Sequence, residues 1–582
     1  MKKKLLAIFF SLALICTVGG CQQTSSSFSS NDSAGNQEMT DEAAKEEQKE
    51  KDEESRKPQE SYSRLFGAKD RTLQVQEDNY RTYYEVFLYS FYDSDKDGIG
   101  DIGGLIEKLD YLNDGDDDSD TDLGVNGIWL MPIFQSTTYH KYDVVDYYTI
   151  DEEYGSLEDF KKLIQECDKR GIKVILDMAF NHTSSQHAWF QSALKSLAVE
   201  DCGSEECTLE ELCKKHNKYC EYYNFTQEKP SEVYYETGVD GWYYEGKFWS
   251  EMPDLNLENE NVRRELEAVM QYWLDLGVGG FRLDAVGEYY SGATLKNVEV
   301  LRWITDYVKD DAKDNYLVSE VWQTFDNYSK YYDSGVDSSF DFAFAGPEGK
   351  IAKVIKQGTG KNTGRGYVDA MASVETTIKG YNENAIDAPF YTNHDMARSA
   401  GYYQNNLDQM KFAQAMNLMM SGNAFLYYGE EIGMSGSGKD ENKRAPFLWS
   451  STDDTGMTAG PIDMEEVKSA FPSMEEQQTD EGSMLNYVKA AIRLRNVFPE
   501  IARGSVEAVE EITDTAIAAM KKTYGKESCI ILMNTTEEEK IVVLPKTVGC
   551  ETLAGELTVS PKSIILEGET ITLPAYGVAV LK

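Results

Sequence analysis

Three acidic residues each close an apolar run: Asp284 in GVGGFRLDAV, Glu320 in NYLVSEVW and Asp395 in APFYTNHD. Carboxylates gathered from separate strand ends suit acid–base and nucleophilic cleavage of a glycosidic bond. A parallel barrel with its site at the strand C-termini produces the same pattern. Arg282 lies two residues before Asp284 on one strand, so both side chains face the same way. A guanidinium there keeps the carboxylate ionised, as a nucleophile requires. Glu320 stands two residues from Trp322, and a partly apolar site raises a carboxyl toward acid work. Asp177 opens DMAFNH, and His394 precedes Asp395. Any one of these also fits a buried ion pair. Successive strand ends carrying all of them point to a site.

The elements that must position these residues begin near residue 78. Apolar runs alternate there with helical patterns, which argues for α/β architecture with a parallel sheet. The strand candidates are YYEVFLYSF, VNGIWLMPIF, IKVILDMAF, VGGFRLDAV, NYLVSEVW, SSFDFAFAG, APFYTNHD and NAFLYYGEE. Eight is the number a TIM (β/α)8 barrel needs. SLEDFKKLIQECDKRG and VRRELEAVMQYWLDLG have helical spacing and a terminal Gly suited to a C-cap. The connection from Asn181-His182 to Asn259 is far too long for a simple loop, so it is read as a small inserted domain. After residue 503 short strands and turns predict an antiparallel β-sandwich.

The 582 residues carry a net charge of -44. That charge disfavours nucleic acid and anionic membrane surfaces as partners. Met1-Lys2-Lys3-Lys4 and the following apolar run read as an export signal. Val18-Gly19-Gly20-Cys21 resembles a bacterial lipobox, which implies cleavage before Cys21 and a lipid on it. The Ser-rich, then charged, stretch that follows reads as a disordered tether, of about 35 Å r.m.s. span. Cys202, Cys207, Cys213 and Cys220 cluster in one polar stretch. In an exported chain they read as one or two disulfides, and the lack of a CxxC pair speaks against zinc. Cys167, Cys529 and Cys550 read as isolated.

DMAFNH, GFRLDAV, SEVW and FYTNHD, in that order, resemble the four signature regions of the α-amylase family of glycoside hydrolases. TTYHKYDVVDYY is similar to the segment before them, and MPDLN at Met252–Asn256 to the family's signature within domain B. The resemblance covers residues from about 78 to 582. It implies Asp284 as nucleophile, Glu320 as acid/base and Asp395 as the transition-state stabiliser, with Arg282 orienting the nucleophile. It further implies that His140, Tyr142, Asp143, His182 and His394 bind the sugar. With the export signal and tether read from the N-terminal residues, the expected division is signal peptide 1–20, lipidated Cys21 and acidic linker 21–77, barrel 78–182 and 259–502, domain B 183–258, and C-terminal sandwich 503–582.

The loop DSDKDGIGD alternates Asp93, Asp95, Asp97 and Asp101, with Gly98 for a sharp turn. With the Ile99 carbonyl these form half of an EF-hand-like Ca²⁺ cradle, and family members carry such a loop after the first barrel strand. Two departures stand out. Gly287-Glu288 replaces a Lys-His pair common in α-amylases, which removes a His whose backbone commonly helps bind the calcium of the domain A/B boundary and leaves open whether Asn181 and Asp254 hold that ion. MPDLN is intermediate between oligo-1,6-glucosidase and neopullulanase types. The expected protein is a monomeric cell-surface lipoprotein that cuts internal α-1,4 bonds of starch and maltodextrins. Neopullulanase, maltogenic amylase and α-glucosidase activity remain the alternatives, and a non-catalytic starch-binding protein a distant third.

Overall fold

The computed structural model describes residues 63–65 and 78–582, apart from 117, 118, 120, 204, 208–211, 358–362 and 550–551. The signal peptide, Cys21, most of the linker and Cys550 lie outside the described residues.

Seven parallel strands form one sheet: β1 (Thr82–Val86), β2 (Gly127–Leu130), β3 (Lys173–Met178), β4 (Gly280–Leu283), β5 (Tyr316–Ser319), β6 (Ser338–Ser339) and β7 (Ala424–Tyr427). Their order is β6-β5-β4-β3-β2-β1-β7. The remaining stave is the segment APFYTNHD. It is held by single parallel bridges, Phe340 to Ala388 and Phe390 to Phe425. Pro389 explains why it makes no regular strand: proline has no N–H to give the ladder. With that stave the barrel closes, as expected from the eight apolar runs.

The interior is layered. Tyr83, Trp129, Ile175, Tyr316, Val318, Phe340, Phe390 and Phe425 form a buried apolar cluster. Tyr83 stacks on Phe425 and on Tyr316 at centroid distances of 4.8 and 5.3 Å. Gly280 (φ 138°) lies where a Cβ would meet the Tyr316 carbonyl oxygen at 1.8 Å, so β4 needs glycine to approach β5.

The helices form for local reasons. α1 (Ile102–Glu107) is capped by the Asp101 carboxylate, which accepts from the Gly104 N–H. α2 (Leu157–Lys169) opens with a capping box of Ser156 and Asp159. The inserted domain holds α3 (Ala188–Leu197) and a three-stranded antiparallel sheet of Phe225–Thr226, Tyr234–Glu236 and Tyr243–Glu245. Asn259 caps α4 (Glu260–Asp275), which returns the chain to the barrel.

The C-terminal region is a sandwich of a six-stranded and a three-stranded antiparallel sheet around its own apolar core. Ser63–Leu65, inside the stretch read as linker, pairs with Leu553–Leu557 at the sheet edge. An open edge offers backbone partners to any extended segment, whatever its side chains. The cysteines depart from expectation more plainly. None of Cys202, Cys207, Cys213 and Cys220 is in a disulfide, while Cys167 and Cys529 stand outside disulfides as their isolated positions suggest.

Candidate active site

Strand register builds the centre. Arg282 on β4 pairs directly with Asp177 on β3 and Val318 on β5. Two backbone hydrogen bonds extend the ladder past the strand ends: Asp284 N–H to the Met178 carbonyl (3.0 Å) and Glu320 N–H to the Leu283 carbonyl (2.9 Å). Asp284 and Glu320 thus emerge side by side at the rim.

One guanidinium then ties three carboxylates. Arg282 Nη1 lies 2.7 Å from Asp177 Oδ1 and 2.8 Å from Asp284 Oδ1, and Nη2 lies 2.8 Å from Glu320 Oε2. Arg282 and Asp177 have fully buried side chains, while Asp284 and Glu320 keep a sliver of surface. Ala285 holds a left-handed backbone (φ 47°), a strained state for a residue with a Cβ. There its N–H donates to Glu320 Oε2 at 3.1 Å.

Burial raises the Glu320 carboxyl above its usual range despite the opposing pull of Arg282. It raises Asp284 too, with Arg282 again opposing. Burial also pushes Asp177 up to about 7, against Arg282. The arrangement therefore favours one proton shared among neighbouring carboxyls.

A second set lies beside the first. His394 is buried between Glu85 (Nδ1–Oε1, 2.5 Å) and Asp395 (Nε2–Oδ2, 3.1 Å). Burial would lower this imidazole, but Asp395 and then Glu85 push it up to about 10. Asp395 goes the other way: burial would raise it, yet His394 and then Arg444 hold it far below the usual carboxylate range. Arg444 Nη2 sits 2.8 Å from Asp395 Oδ1. The Tyr142 hydroxyl donates to Asp177 Oδ2 (2.9 Å) and accepts from His394 Nε2 (2.8 Å), with the two rings stacked at 5.6 Å. His140 and His182 are each lowered to about 4, chiefly by burial, and so are neutral at pH 7. His182 Nε2 is 3.2 Å from the Tyr142 carbonyl.

Of the expected residues, the structure brings Arg282, Asp284, Glu320, His394, Asp395, Tyr142, His140 and His182 together. Asp143 is different. It is fully buried, and its carboxylate accepts from the hydroxyls of Ser136, Thr137 and Thr138 at 2.5 Å each. It shapes the turn that presents His140 and Tyr142, and has no oxygen left for sugar. Trp322 does not press on Glu320. It is 55% exposed and stacks on Phe342 at 5.2 Å. Glu85 and Arg444 escaped the sequence reading. Glu85 left a signal, a charge inside the buried run TYYEV. Arg444 left none, because its loop has no periodicity.

Carboxylate oxygens of Asp93, Asp95 and Asp101 lie within 4.8 Å of one another. Asp97 is not among them; its Oδ1 accepts from the Ile99 N–H at 2.7 Å. An all-oxygen, triply acidic set fits Ca²⁺. Asp254 is occupied otherwise, accepting from Asn181 Nδ2 (3.0 Å) and the Lys247 N–H (3.1 Å). Lys247 pairs with Glu288 at 2.9 Å, the position where the Lys-His pair is missing.

The chain is similar to known proteins. Residues 85–504 match the family described as alpha amylase, catalytic domain. "Alpha-amylase 3" of Dictyoglomus thermophilum is 34% identical over 78% of this chain and 85% of its own length. "Oligo-1,6-glucosidase" of Parageobacillus thermoglucosidasius is 26% identical over 79% of this chain and 91% of its own. The solved structure "Eubacterium rectale Amy13B" superposes with a TM-score of 0.82 and 43% identity, over 88% of this chain and 97% of that one. The barrel with carboxylates at its strand ends, together with the family match, places the chain among glycoside hydrolases. The chain belongs to the α-amylase family, and it is an enzyme of that class.

Proposed function

We propose that this enzyme is a retaining, endo-acting α-amylase that hydrolyses internal α-1,4 bonds of starch and maltodextrins at the cell surface. The observation that carries the reading is the single Arg282 guanidinium holding Asp284 and Glu320 side by side at 2.8 Å each. A retaining mechanism needs its two carboxyl groups close, about 5–5.5 Å apart.

Glu320, raised by burial, gives its proton to the glycosidic oxygen as the C1–O bond breaks. Asp284 attacks C1 from the opposite face and forms a glycosyl ester. Arg282 keeps Asp284 ionised once the proton resides on Glu320. Water then loses a proton to Glu320 and attacks C1, so the ester breaks with net retention. Asp395 is held anionic by His394 and Arg444, and accepts hydrogen bonds from sugar hydroxyls that tighten as the ring flattens. Neutral His140 and His182 serve the same sugar. Phe248 and Trp249 of the insertion are 47% and 45% exposed and offer flat faces to further glucose units. Calcium, when bound by Asp93, Asp95 and Asp101, would neutralise the loop that caps α1. Export and a lipid on Cys21 would place the catalytic unit where polymeric substrate occurs.

The relative named oligo-1,6-glucosidase and the intermediate MPDLN segment support a second reading, in which short oligosaccharides are cut from their ends. A product profile on amylose, pullulan and maltotriose separates the two. Rapid loss of iodine staining with mixed short products is expected. Glucose or panose as main product, with amylose barely shortened, would move the enzyme to the second reading.

A further inference from the structure

We propose that the inserted domain carries a structural zinc site made of Cys202, Cys207, Cys213 and His216. One ligand atom from each lies within 4.8 Å of all the others. The measured edges are Cys202 Sγ to Cys213 Sγ 3.8 Å, Cys202 Sγ to His216 Nδ1 3.5 Å, and Cys213 Sγ to His216 Nδ1 3.1 Å. Zinc bonds of about 2.3 Å to sulfur and 2.0–2.1 Å to nitrogen, at tetrahedral angles, give edges of about 3.8 Å and 3.6 Å. Two of these edges match that polyhedron, and the third is shorter by about half an ångström.

The alternative use of these sulfurs is a disulfide, and none is formed. A bonded pair would bring two sulfurs to about 2.05 Å and send the histidine elsewhere. Here the imidazole sits in the same cluster as the three sulfurs. The spacing is C-x4-C-x5-C-x2-H, so the four ligands meet without a CxxC pair.

The surrounding hydrogen bonds hold the ligands in place. The Cys213 N–H donates to Cys207 Sγ at 3.4 Å. The N–H groups of His216 and Asn217 both donate to the Cys213 carbonyl, at 3.0 and 3.1 Å. That turn puts Cys213 and His216 on one side. Asn217 Nδ2 then donates to the Ser192 hydroxyl (2.9 Å) and the Ser196 hydroxyl (2.8 Å) of α3. The Ser196 hydroxyl donates to the Leu212 carbonyl at 2.6 Å. The ligand loop is thus tied to the helix that follows the His182 segment. Cys220 takes no part; its thiol faces the Ala193 carbonyl at 3.7 Å.

A donor set of three sulfurs and one nitrogen suits zinc and does not suit calcium. The site is therefore separate in place and chemistry from the acidic loop at Asp93. Binding converts three thiols to thiolates, with release of their protons, and protects them from oxidation after export.

The test uses the full chain, equilibrated with zinc and then dialysed against metal-free buffer. Elemental analysis is expected to find about one zinc per chain. An organomercurial should release it. Replacement by Co²⁺ should give thiolate-to-cobalt charge transfer and tetrahedral d–d bands. Cys207→Ser and His216→Ala should each lose the zinc, while Cys220→Ser keeps it. Folded, active wild-type protein without zinc would overturn the proposal. So would peptide mapping that finds Cys202, Cys207 or Cys213 in a disulfide. If the ligand variants fail to fold, the cobalt spectrum of the wild-type chain decides alone.

Discussion

Glu85→Gln separates an electrostatic role from simple packing. Glu85 is 1% exposed, and its Oε1 lies 2.5 Å from His394 Nδ1. His394 rises from 6.5 to about 10, and a rise of about 3.5 pH units corresponds to roughly 5 kcal/mol. Asp395 supplies the larger part and Glu85 the next. A hydrogen bond to a charged group is worth about 1.5–3 kcal/mol, so we assign Glu85 about 2 kcal/mol, and His394 should titrate lower in the variant than in the wild type. Both partners are raised, which favours the charged form of His394 but the neutral form of Glu85, since burial outweighs the pull of His394 on that carboxyl. Removing the carboxylate also relieves that burial cost. The magnitude therefore sits below the roughly 3–5 kcal/mol common for breaking a buried pair.

The pH window follows from the raised histidine. Its contribution is complete below 6.5 and is lost as pH rises through about 10. Thermal unfolding should show the variant a few degrees less stable at pH 6, with the gap closing by pH 10. Ring-labelled histidine NMR should show the His394 titration moving to lower pH. A stability gap that is constant from pH 6 to 10, or one that widens, would refute the reasoning.

Three further outcomes are expected. Glu320→Gln should lower kcat by about 10²–10⁴-fold while maltodextrin binding persists; a near-normal rate would remove Glu320 from its role. Arg444→Met should leave the fold intact and lower kcat/KM by about 10–100-fold, because Asp395 loses its 2.8 Å partner and a charge-assisted hydrogen bond is worth about 1.5–3 kcal/mol; an unchanged kcat/KM would show that His394 alone suffices. Calcium removal should lower Tm through the loop of Asp93, Asp95 and Asp101, and Asp93→Asn should blunt that response; an identical melting curve after proven metal removal counts against the site.

The staves of the barrel were readable because buried parallel strands are written as continuous apolar runs. Asp284, Glu320 and His394-Asp395 were readable for the same reason, since a charge at the end of such a run stands out. The insertion's cysteines were misread. The number of cysteines in a polar stretch does not distinguish a covalent pair from a metal cluster, and that choice depends on where the chain brings His216. The family resemblance implies Asp143 as a sugar ligand, but three hydroxyls from one short turn consume its oxygens.

By itself the sequence determined the periodicity, the strand-end carboxylates, the acidic loop and the helix caps. All of these are local: each depends on residues a few positions apart. The tertiary structure decided which charges meet. Arg444 reaches Asp395, and Glu85 reaches His394 across a separation of 309 positions. Nothing near either residue in the chain encodes that partner. Barrel closure brings β1 beside the last staves, and burial there turns a weak attraction in water into the interaction that fixes the protonation state of the site.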